Sequence, residues 1–119
     1  MEFSPQAPEE AFGSFFREGH DPPEIRAFAE ELVRGVIAKR DALDEIIRGI
    51  SLNWKLERMA VIDRNVLRLA AYELLHVPGI PRKVTINEAI EIAKHFGTDD
   101  SGSFVNGIVD RVAAMSGKP

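Results

Sequence analysis

Cysteine is absent from this 119-residue chain, so disulfide bonds, thiolate catalysis and zinc sites built on cysteine are all excluded. No apolar run approaches the ~20 residues of a membrane-spanning helix, and the start at Met1-Glu2 lacks the basic segment of a signal peptide. The three histidines, His20, His76 and His95, are too scattered for a metal site. We therefore expect a cytoplasmic protein without a membrane segment. It is not expected to be an enzyme, and no catalytic residue, metal or cofactor is predicted.

A strongly basic surface is also lacking. The formal net charge is −4, with 15 basic and 19 acidic residues. Residues 1–50 carry six basic and eleven acidic groups, a balance of −5, while residues 51–119 carry nine and eight, a balance of +1. A general nucleic-acid binder neutralises phosphates with a basic face, which this composition does not supply. Any nucleic-acid role must therefore be local, specific or shared with a partner.

Helical periodicity runs through the chain, and no segment reads as a strand. The apolar content of 45% and charged content of 29% are typical of one soluble globular domain. We predict an all-α fold of about six helices. The predicted segments are residues 9–17, with Phe12, Phe15 and Phe16 on one side; a helix begun by Pro22-Pro23, with Ile25, Phe28, Ala29, Leu32, Val33 and Val36 inside; a helix capped by Asp41; a short turn around Trp54; and helices begun by Asp63, by a Thr85–Glu88 capping box and by Asp100 or Ser101.

The helix that follows Asp63 is apolar around nearly its whole circumference, which predicts that it is central and buried. Arg68 places a charge on this helix. One interpretation is internal: an ion pair with Glu73 or Asp63, or stacking on Tyr72 one turn away. In the other interpretation, Arg68 projects from the protein toward RNA or a protein partner.

Three polar residues on the last two helices, Asn87, Lys94 and Asn106, exceed what helix packing requires. Structural roles exist for them: Asn87 can bond near a helix start, and Lys94 in a last turn complements the helix dipole. RNA contact is the alternative, because Phe104 with Asn106 would offer an unstacked base an aromatic face and an amide. Phe104 can equally be a core residue, and Asp100 a simple helix cap.

Arg82-Lys83 is predicted to form a small exposed basic loop that could contact phosphate, although two charges are too few to hold RNA alone. Gly107 costs up to ~1 kcal/mol inside a helix relative to alanine. We therefore expect a neighbouring helix, or RNA, to approach its backbone closely.

Many of these residues together form a family pattern. The pattern consists of Trp54, Glu57, Arg58, Asp63, Leu67-Arg68, Tyr72-Glu73-Leu74, Pro81, Val84, Ile86-Asn87-Glu88-Ala89, Ala93-Lys94 and Phe104-Val105-Asn106-Gly107. From about Ala27 to Ala114, the chain resembles the NusB family of transcription antitermination factors. The resemblance implies one domain, residues 1–119, made of two small packed helical bundles, about 1–50 and 51–116.

The resemblance also implies a function. A NusB-like protein binds a short single-stranded leader RNA element together with ribosomal protein NusE, and so helps RNA polymerase, with other antitermination factors, to read through terminators in ribosomal RNA operons. For RNA binding it implies Arg82, Lys83, Lys94, Asp100, Phe104 and Asn106, and for partner binding Arg68, Tyr72, Glu73, Asn87 and Glu88.

The N-terminus departs from the family pattern. NusB-like proteins open with an arginine-rich segment and a first helix, whereas Met1-Glu2-Phe3 looks like the tail of that helix. Either the start lies at an internal methionine or the variant is naturally short. Loss of that helix would expose a groove, which would destabilise the N-terminal bundle or favour a homodimer.

Two other functions stay open. The chain could be a NusB-like protein-interaction module without RNA binding. It could also be the N-terminal RNA-binding fragment of a ribosomal RNA cytosine methyltransferase, whose catalytic domain 119 residues cannot contain.

Overall fold

A computed structural model describes residues 23–52 and 54–119, with side chains described from residue 26 onward. The predicted helix at 9–17 lies outside the described residues. Within them the chain forms five α-helices and one 3-10 turn, which confirms the all-helical prediction. The elements are α1 (Pro23–Ala38), α2 (Arg40–Ile50), the 3-10 turn (Leu56–Arg58), α3 (Val61–His76), α4 (Arg82–Phe96) and α5 (Ser101–Ser116).

Helix α3 is the centre of the fold, as its all-round apolar character predicts. It packs against each of the other four helices. Leu67, Ala71 and Leu74 are almost fully buried, as are Val105 and Val109 of α5, which pack with them in one core. Helix α3 therefore joins α1 and α2 on one side to α4 and α5 on the other. We call α3, α4 and α5 the three-helix bundle.

The apolar stripes of the outer helices are largely as predicted. In α1, Ala29, Leu32, Val33 and Val36 are buried, but Phe28 is 44% exposed and lies at a groove described below. Leu43 and Ile47 of α2 are fully buried. Helix α4 ends at Phe96, and Gly97, the predicted stop, follows as its C-cap. The backbone N–H of Gly97 donates to the carbonyl of Ala93.

Several predicted caps are wrong, because the helices begin earlier than the capping residues suggested. Helix α2 begins after Lys39, so Asp41 lies in its first turn. Helix α3 begins after Ala60, so Asp63 also lies in a first turn, where its charge still suits the positive end of the dipole. Trp54 precedes the 3-10 turn instead of lying within it.

The Thr85–Glu88 capping box is wrong for a similar reason. Pro81 holds an extended conformation, and α4 starts immediately after it at Arg82. Thr85 is therefore inside the helix and buried, and its hydroxyl donates to Oε1 of Glu73 at 2.6 Å. The side chain links two helices instead of capping one.

The C-terminal residues close the three-helix bundle. Gly117 takes a left-handed conformation (φ 74°) that ends α5 and turns the chain back. The Lys118 ammonium then donates to the carbonyls of Glu73, Val77 and Ile80 at 3.1, 2.7 and 2.6 Å. These carbonyls lie at the C-terminal end of α3 and in the loop that follows, where the helix dipole favours a cation. The Glu73 carbonyl also accepts from the backbone N–H of Val77.

Candidate functional site

Arg68 is an internal residue, only 3% exposed. Its guanidinium donates to Asp44 of α2 through Nε at 2.7 Å and Nη2 at 3.0 Å, and Nη1 donates to Asn65 at 3.2 Å. The internal interpretation is therefore right, but the expected partner, Glu73 or Asp63, is wrong. Because Arg68 is buried, its side chain is not exposed for the contact with a partner that the sequence predicted. Asp44 is also buried. Because Asp44 belongs to α2 and Arg68 to α3, their pair of hydrogen bonds joins the two helices.

An apolar groove lies between α1, α3 and α4, with a volume of about 390 Å³. Two carboxylates, Glu73 and Glu88, stand on its wall beside apolar side chains. The structure thus brings together two of the residues assigned to partner binding. The remaining lining residues are Phe28, Ala29, Leu32, Val66, Leu69, Ala70, Thr85, Ala89 and Ile92.

Glu73 is the most perturbed acid in this groove. Burial raises the pKa of Glu73 above its usual 4.5, and the negative charge of Glu88 raises it further. The hydrogen bond from Thr85 and the nearby ammonium of Lys118 act in the opposite direction without cancelling the effect of burial. A cationic group of a partner would stabilise the charged form of a carboxylate that is poorly solvated in an apolar groove.

Tyr72 and Asn87, also assigned to partner binding, do not line this groove. Tyr72 packs its ring over Gly35 of α1, where an added Cβ would overlap the ring. The ring also lies 5.3 Å from the His76 ring, centroid to centroid. Asn87 is exposed, about 100° around α4 from Glu88. The five assigned residues therefore separate into a buried pair residue, a packing residue, two groove residues and Asn87.

A second surface follows the line where α4 meets α5. Lys83, Asn87 and Lys94 are spaced four and seven residues apart, which places them on one face of α4. Lys94 crosses onto α5, since a Cβ at Gly102 would lie 2.7 Å from its Cγ. Asn106, one turn after Gly102, is exposed on the same face of α5. We call this surface, formed by Lys83, Asn87, Lys94 and Asn106, the α4–α5 seam.

The seam explains why these polar residues exceed what packing needs. The short connection at residues 97–100 makes α4 and α5 antiparallel neighbours. With Lys94 level with Gly102, the antiparallel arrangement puts Asn106 near the level of Ile90 and Asn87. Two amides and a lysine therefore follow one another along a shallow inter-helical surface, which suits hydrogen bonding to unpaired bases and contact with phosphate.

The basic pair Arg82-Lys83 was predicted to form a loop, and that prediction is wrong. The two residues are the first two of α4. Both are exposed. They lie at the opposite end of α4 from Lys94, and eleven residues of helix separate Lys83 from Lys94 by about 16 Å. Positive charge is unfavourable at the start of a helix. The pair can extend a binding surface along the seam, but it does not join the residues at the α4–α5 turn.

Phe104 and Asn106 do not form a joint base-binding pair. The two residues are two positions apart on a helix, a rotation of about 200° around its axis, so their side chains lie on nearly opposite faces. Phe104 is half-buried and packs against the core, so its structural interpretation holds, while part of the ring stays accessible. Asp100 occupies the N-cap position without a side-chain cap bond, and its carbonyl accepts from the N–H of Phe104.

The turn between α4 and α5 is fixed by Ser101, which is buried. Its hydroxyl accepts a hydrogen bond from the backbone N–H of Thr98 at 2.9 Å and lies 3.2 Å from the Thr98 hydroxyl. The prediction that a neighbouring helix approaches Gly107 is wrong, because a Cβ there would have nothing of the protein within 4 Å; the alternative, an approach by RNA, stays a prediction. Gly102, which the sequence pattern did not single out, is the glycine that allows Lys94 to cross.

Two general properties of the described part of the chain bear on function. Between residues 23 and 119, leaving out residue 53, no helix is long and apolar enough to cross a membrane. Over the same residues there is no group of three or more histidine or acidic side chains placed to hold a metal ion.

A sequence profile of the NusB family matches residues 1–114 of this chain. The chain belongs to the NusB family. This confirms the resemblance based on residues 27–114 and extends it to the N-terminal region. The fold agrees, because the structure is similar to a solved structure of T. maritima NusB with a TM-score of 0.81 and 44% identity over 92% of this chain and 77% of that one.

Relatives of this NusB family member carry a functional name. The chain is 52% identical over 105 residues to the transcription antitermination protein NusB of Sorangium cellulosum (strain So ce56), covering 88% of this chain and 75% of the relative. It is 49% identical over 114 residues to the protein of the same name from Myxococcus xanthus (strain DK1622), covering 96% and 81%. Both surfaces described above lie within residues 1–114, which the family profile matches.

Proposed function

We propose that this NusB family member is a transcription antitermination factor that binds a short single-stranded leader RNA together with ribosomal protein NusE. In this role it promotes read-through of ribosomal RNA operons in the cytoplasm, and it reaches RNA polymerase and other antitermination factors indirectly. It works by binding and not by catalysis. The observation that carries the proposal is the family relationship, which relatives named as antitermination proteins share over most of this chain.

The α4–α5 seam supports the RNA part of the proposal. Lys94 and Asn106 lie on one continuous surface, with Asp100 and Phe104 at the same end of the bundle. Phosphate contacts from lysine position a strand, whereas amides and aromatic faces recognise bases. Arg82 and Lys83 at the far end of α4 can contact phosphates farther along the strand. The small number of cations agrees with the view that a partner shares the RNA.

The groove between α1, α3 and α4 supports the partner part. It offers an apolar surface large enough for a few side chains, with Glu73 and Glu88 on its wall. A protein segment with an apolar anchor next to an arginine or lysine would fit this combination. Glu73 gains most from such a segment, because the cation would stabilise a carboxylate that burial destabilises.

The RNA assignment is tested with single-stranded leader RNA in filter binding. Changing Lys94 to Gln removes one of the two seam cations, and changing Asn106 to Ala removes an amide. Each should weaken RNA binding, and K94Q should also reduce the salt dependence of binding by about one phosphate contact. The control is Lys39→Gln, since Lys39 is exposed at the junction of α1 and α2. Unchanged affinity in both seam variants would contradict the assignment.

The partner assignment is tested by reversing a charge. Glu88 is exposed at the groove, so Glu88→Lys should fold normally and weaken NusE binding, because it would repel a cationic segment. Asp41→Lys on α2, outside the groove, makes the same change of charge as a control. RNA binding without NusE should be much less affected by E88K. If E88K and D41K affect NusE binding equally, the groove is not the partner site.

The same assays separate the alternative functions. A protein-interaction module without RNA binding would bind NusE but gain no RNA affinity on the seam, whatever the salt concentration. A fragment of a ribosomal RNA methyltransferase would bind ribosomal RNA without preference for the leader element. A homodimer through the groove would be lost in E88K, which sedimentation would detect.

A further inference from the structure

The loop between α2 and α3 presents two large apolar side chains to solvent. Leu52 is 80% exposed and Trp54 is 53% exposed. Val61, at the start of α3 just beyond the loop, is also partly exposed. Large apolar side chains that a fold leaves together on its surface mark an interaction site. Trp54 provides the largest flat face among them.

Two hydrogen bonds tie the backbone of Trp54 to Ser51, at the end of α2. The Ser51 hydroxyl donates to the backbone carbonyl of Trp54 at 2.8 Å, and the backbone N–H of Trp54 donates to the carbonyl of Ser51 at 3.3 Å. Farther along, Nη1 of the buried Arg64 donates to the carbonyl of Leu56 at 3.1 Å. Because these bonds hold the backbone on both sides of the ring, a ligand that stacks on Trp54 would pay less for ordering it.

Two exposed cationic side chains, Lys55 and Arg58, follow Trp54 closely in the chain. Glu57 is paired with Arg48 at 3.1 Å. The pKa of Glu57 is lowered, first by a hydrogen bond to its own backbone and then by the hydrogen bond from Arg48, with a further contribution from the charge of Lys55. This acid therefore stays ionised, and its hydrogen-bonded partner is Arg48. Lys55 and Arg58 are exposed, and within the part of the chain that the structure describes they form no ion pair. The surface around Trp54 thus favours an anionic ligand.

This loop shares an end of the three-helix bundle with the α4–α5 turn. Helix α3 leads away from the loop, and α4 returns after the short connection at residues 77–81. The last turn of α4, with Lys94 and the half-exposed Phe96, therefore lies at the end where α3 begins. His95 packs edge-on against Phe96, with ring centroids 4.7 Å apart. The two connections, each with aromatic and cationic residues, therefore share this end of the three-helix bundle.

We propose that Trp54, flanked by Lys55 and Arg58, is a stacking site for an unpaired base of single-stranded RNA, continuous with the strand that follows the α4–α5 seam. This rests on the proposed RNA-binding function and adds a second contact point to it. Stacking on an aromatic side chain suits any base, while the two cations contact the phosphates on either side. An apolar protein partner would use Leu52 and Trp54 but would not need the two cations.

Trp54 is the single tryptophan of the chain, so its fluorescence reports on this site alone. Titration with single-stranded leader RNA should quench the emission over the same concentration range in which filter binding detects the complex. A duplex of the same sequence should quench it much less, because its bases are not free to stack. Trp54→Ala should weaken RNA binding at least about fivefold, while Trp54→Phe, which keeps an aromatic face, should lose less.

The charge requirement is tested with Lys55→Gln combined with Arg58→Gln, which should weaken binding and lower its salt dependence. Lys39→Gln, at the opposite end of α2 from the loop, is the matched control. Circular dichroism on heating shows whether each variant stays folded. Since all three changed side chains are exposed, unfolding should be unaffected.

The outcomes separate this proposal from the one on which it rests. If RNA binds, and K94Q and N106A weaken it while W54A and the fluorescence are unaffected, the Trp54 site is refuted and the RNA-binding function stands. If the fluorescence responds to NusE but not to RNA, the loop is a protein contact and the proposal is refuted. If the wild-type chain with NusE binds no RNA in either assay, the proposed function fails, and the stacking site fails with it.

Discussion

Replacing Arg68 with methionine tests the buried ion pair that joins α2 to α3. The change keeps an unbranched side chain of similar length but leaves Asp44, which is 5% exposed, without its two-point partner. Removing one member of a buried pair costs about 3–5 kcal/mol, because the remaining charge has lost its solvent and its counterion. Arg40, whose Nε lies 4.0 Å from Asp44 Oδ2, compensates only weakly.

The expected loss is large compared with the total stability of a small domain, about 5–15 kcal/mol. With an unfolding entropy of about 2 cal/mol/K per residue, 119 residues give roughly 0.25 kcal/mol/K near the midpoint, so the Tm should fall by roughly 12–20 °C. The assay is urea unfolding followed by circular dichroism, supported by a thermal scan. The double variant Asp44→Leu with Arg68→Met should recover most of the loss, because no charge then remains buried.

A matched control is available at the surface. Arg48→Met removes an arginine from an exposed pair with Glu57, in which both side chains are about half-exposed or more, and should cost less than about 1 kcal/mol. A loss below about 1 kcal/mol in R68M, or a double variant no more stable than R68M, would refute the reasoning. A specific loss of NusE binding by a fully stable R68M would restore Arg68 as a partner contact.

Three further predictions concern the groove and its supports. Because the folded state raises the pKa of Glu73, wild-type stability should fall as the pH rises from 4.5 through that raised pKa; Glu73→Gln should remove this dependence in urea unfolding measured across pH. If both proteins vary alike, the perturbation is absent. Lys118→Met should cost about 1–3 kcal/mol of unfolding free energy by releasing three carbonyls, and a cost near zero would show that the tail is not a stabilising contact. Gly35→Ala should destabilise the protein by about 1–3 kcal/mol, because the new Cβ would overlap the Tyr72 ring. Gly49→Ala meets open space and should stabilise the protein by up to ~1 kcal/mol. Equal effects of the two changes on the Tm would contradict this packing.

Helix existence and burial could be predicted because they depend on local repetition. The nearly complete apolar circumference after Asp63 identified α3 as central, and Gly97 was correctly placed as the stop of α4. Helix starts were less accurate, since a polar residue near a helix start serves a cap and a tertiary contact equally well. Thr85 shows this: its hydroxyl bonds to Glu73, twelve residues earlier in the chain, and no local pattern contains that information.

The candidate site divides in the same way. The excess polarity of Asn87, Lys94 and Asn106 was visible in the sequence, because each residue interrupts a helical pattern that did not require it. That they share one surface depends on the antiparallel packing of α4 on α5 and on Gly102, over which Lys94 passes. Conversely, helix geometry separates Phe104 from Asn106, although the two are close in sequence.

By itself, the sequence determined an all-helical chain, its central helix and its membership of the NusB family, because periodicity and motif spacing are properties of neighbouring residues. The tertiary structure alone decided that Arg68 is buried against Asp44, that Glu73 and Glu88 share a groove, and that Trp54 is exposed. These facts depend on which helix faces meet. Contacts between residues distant in the chain are set by the packing of the whole domain, so no single segment encodes them.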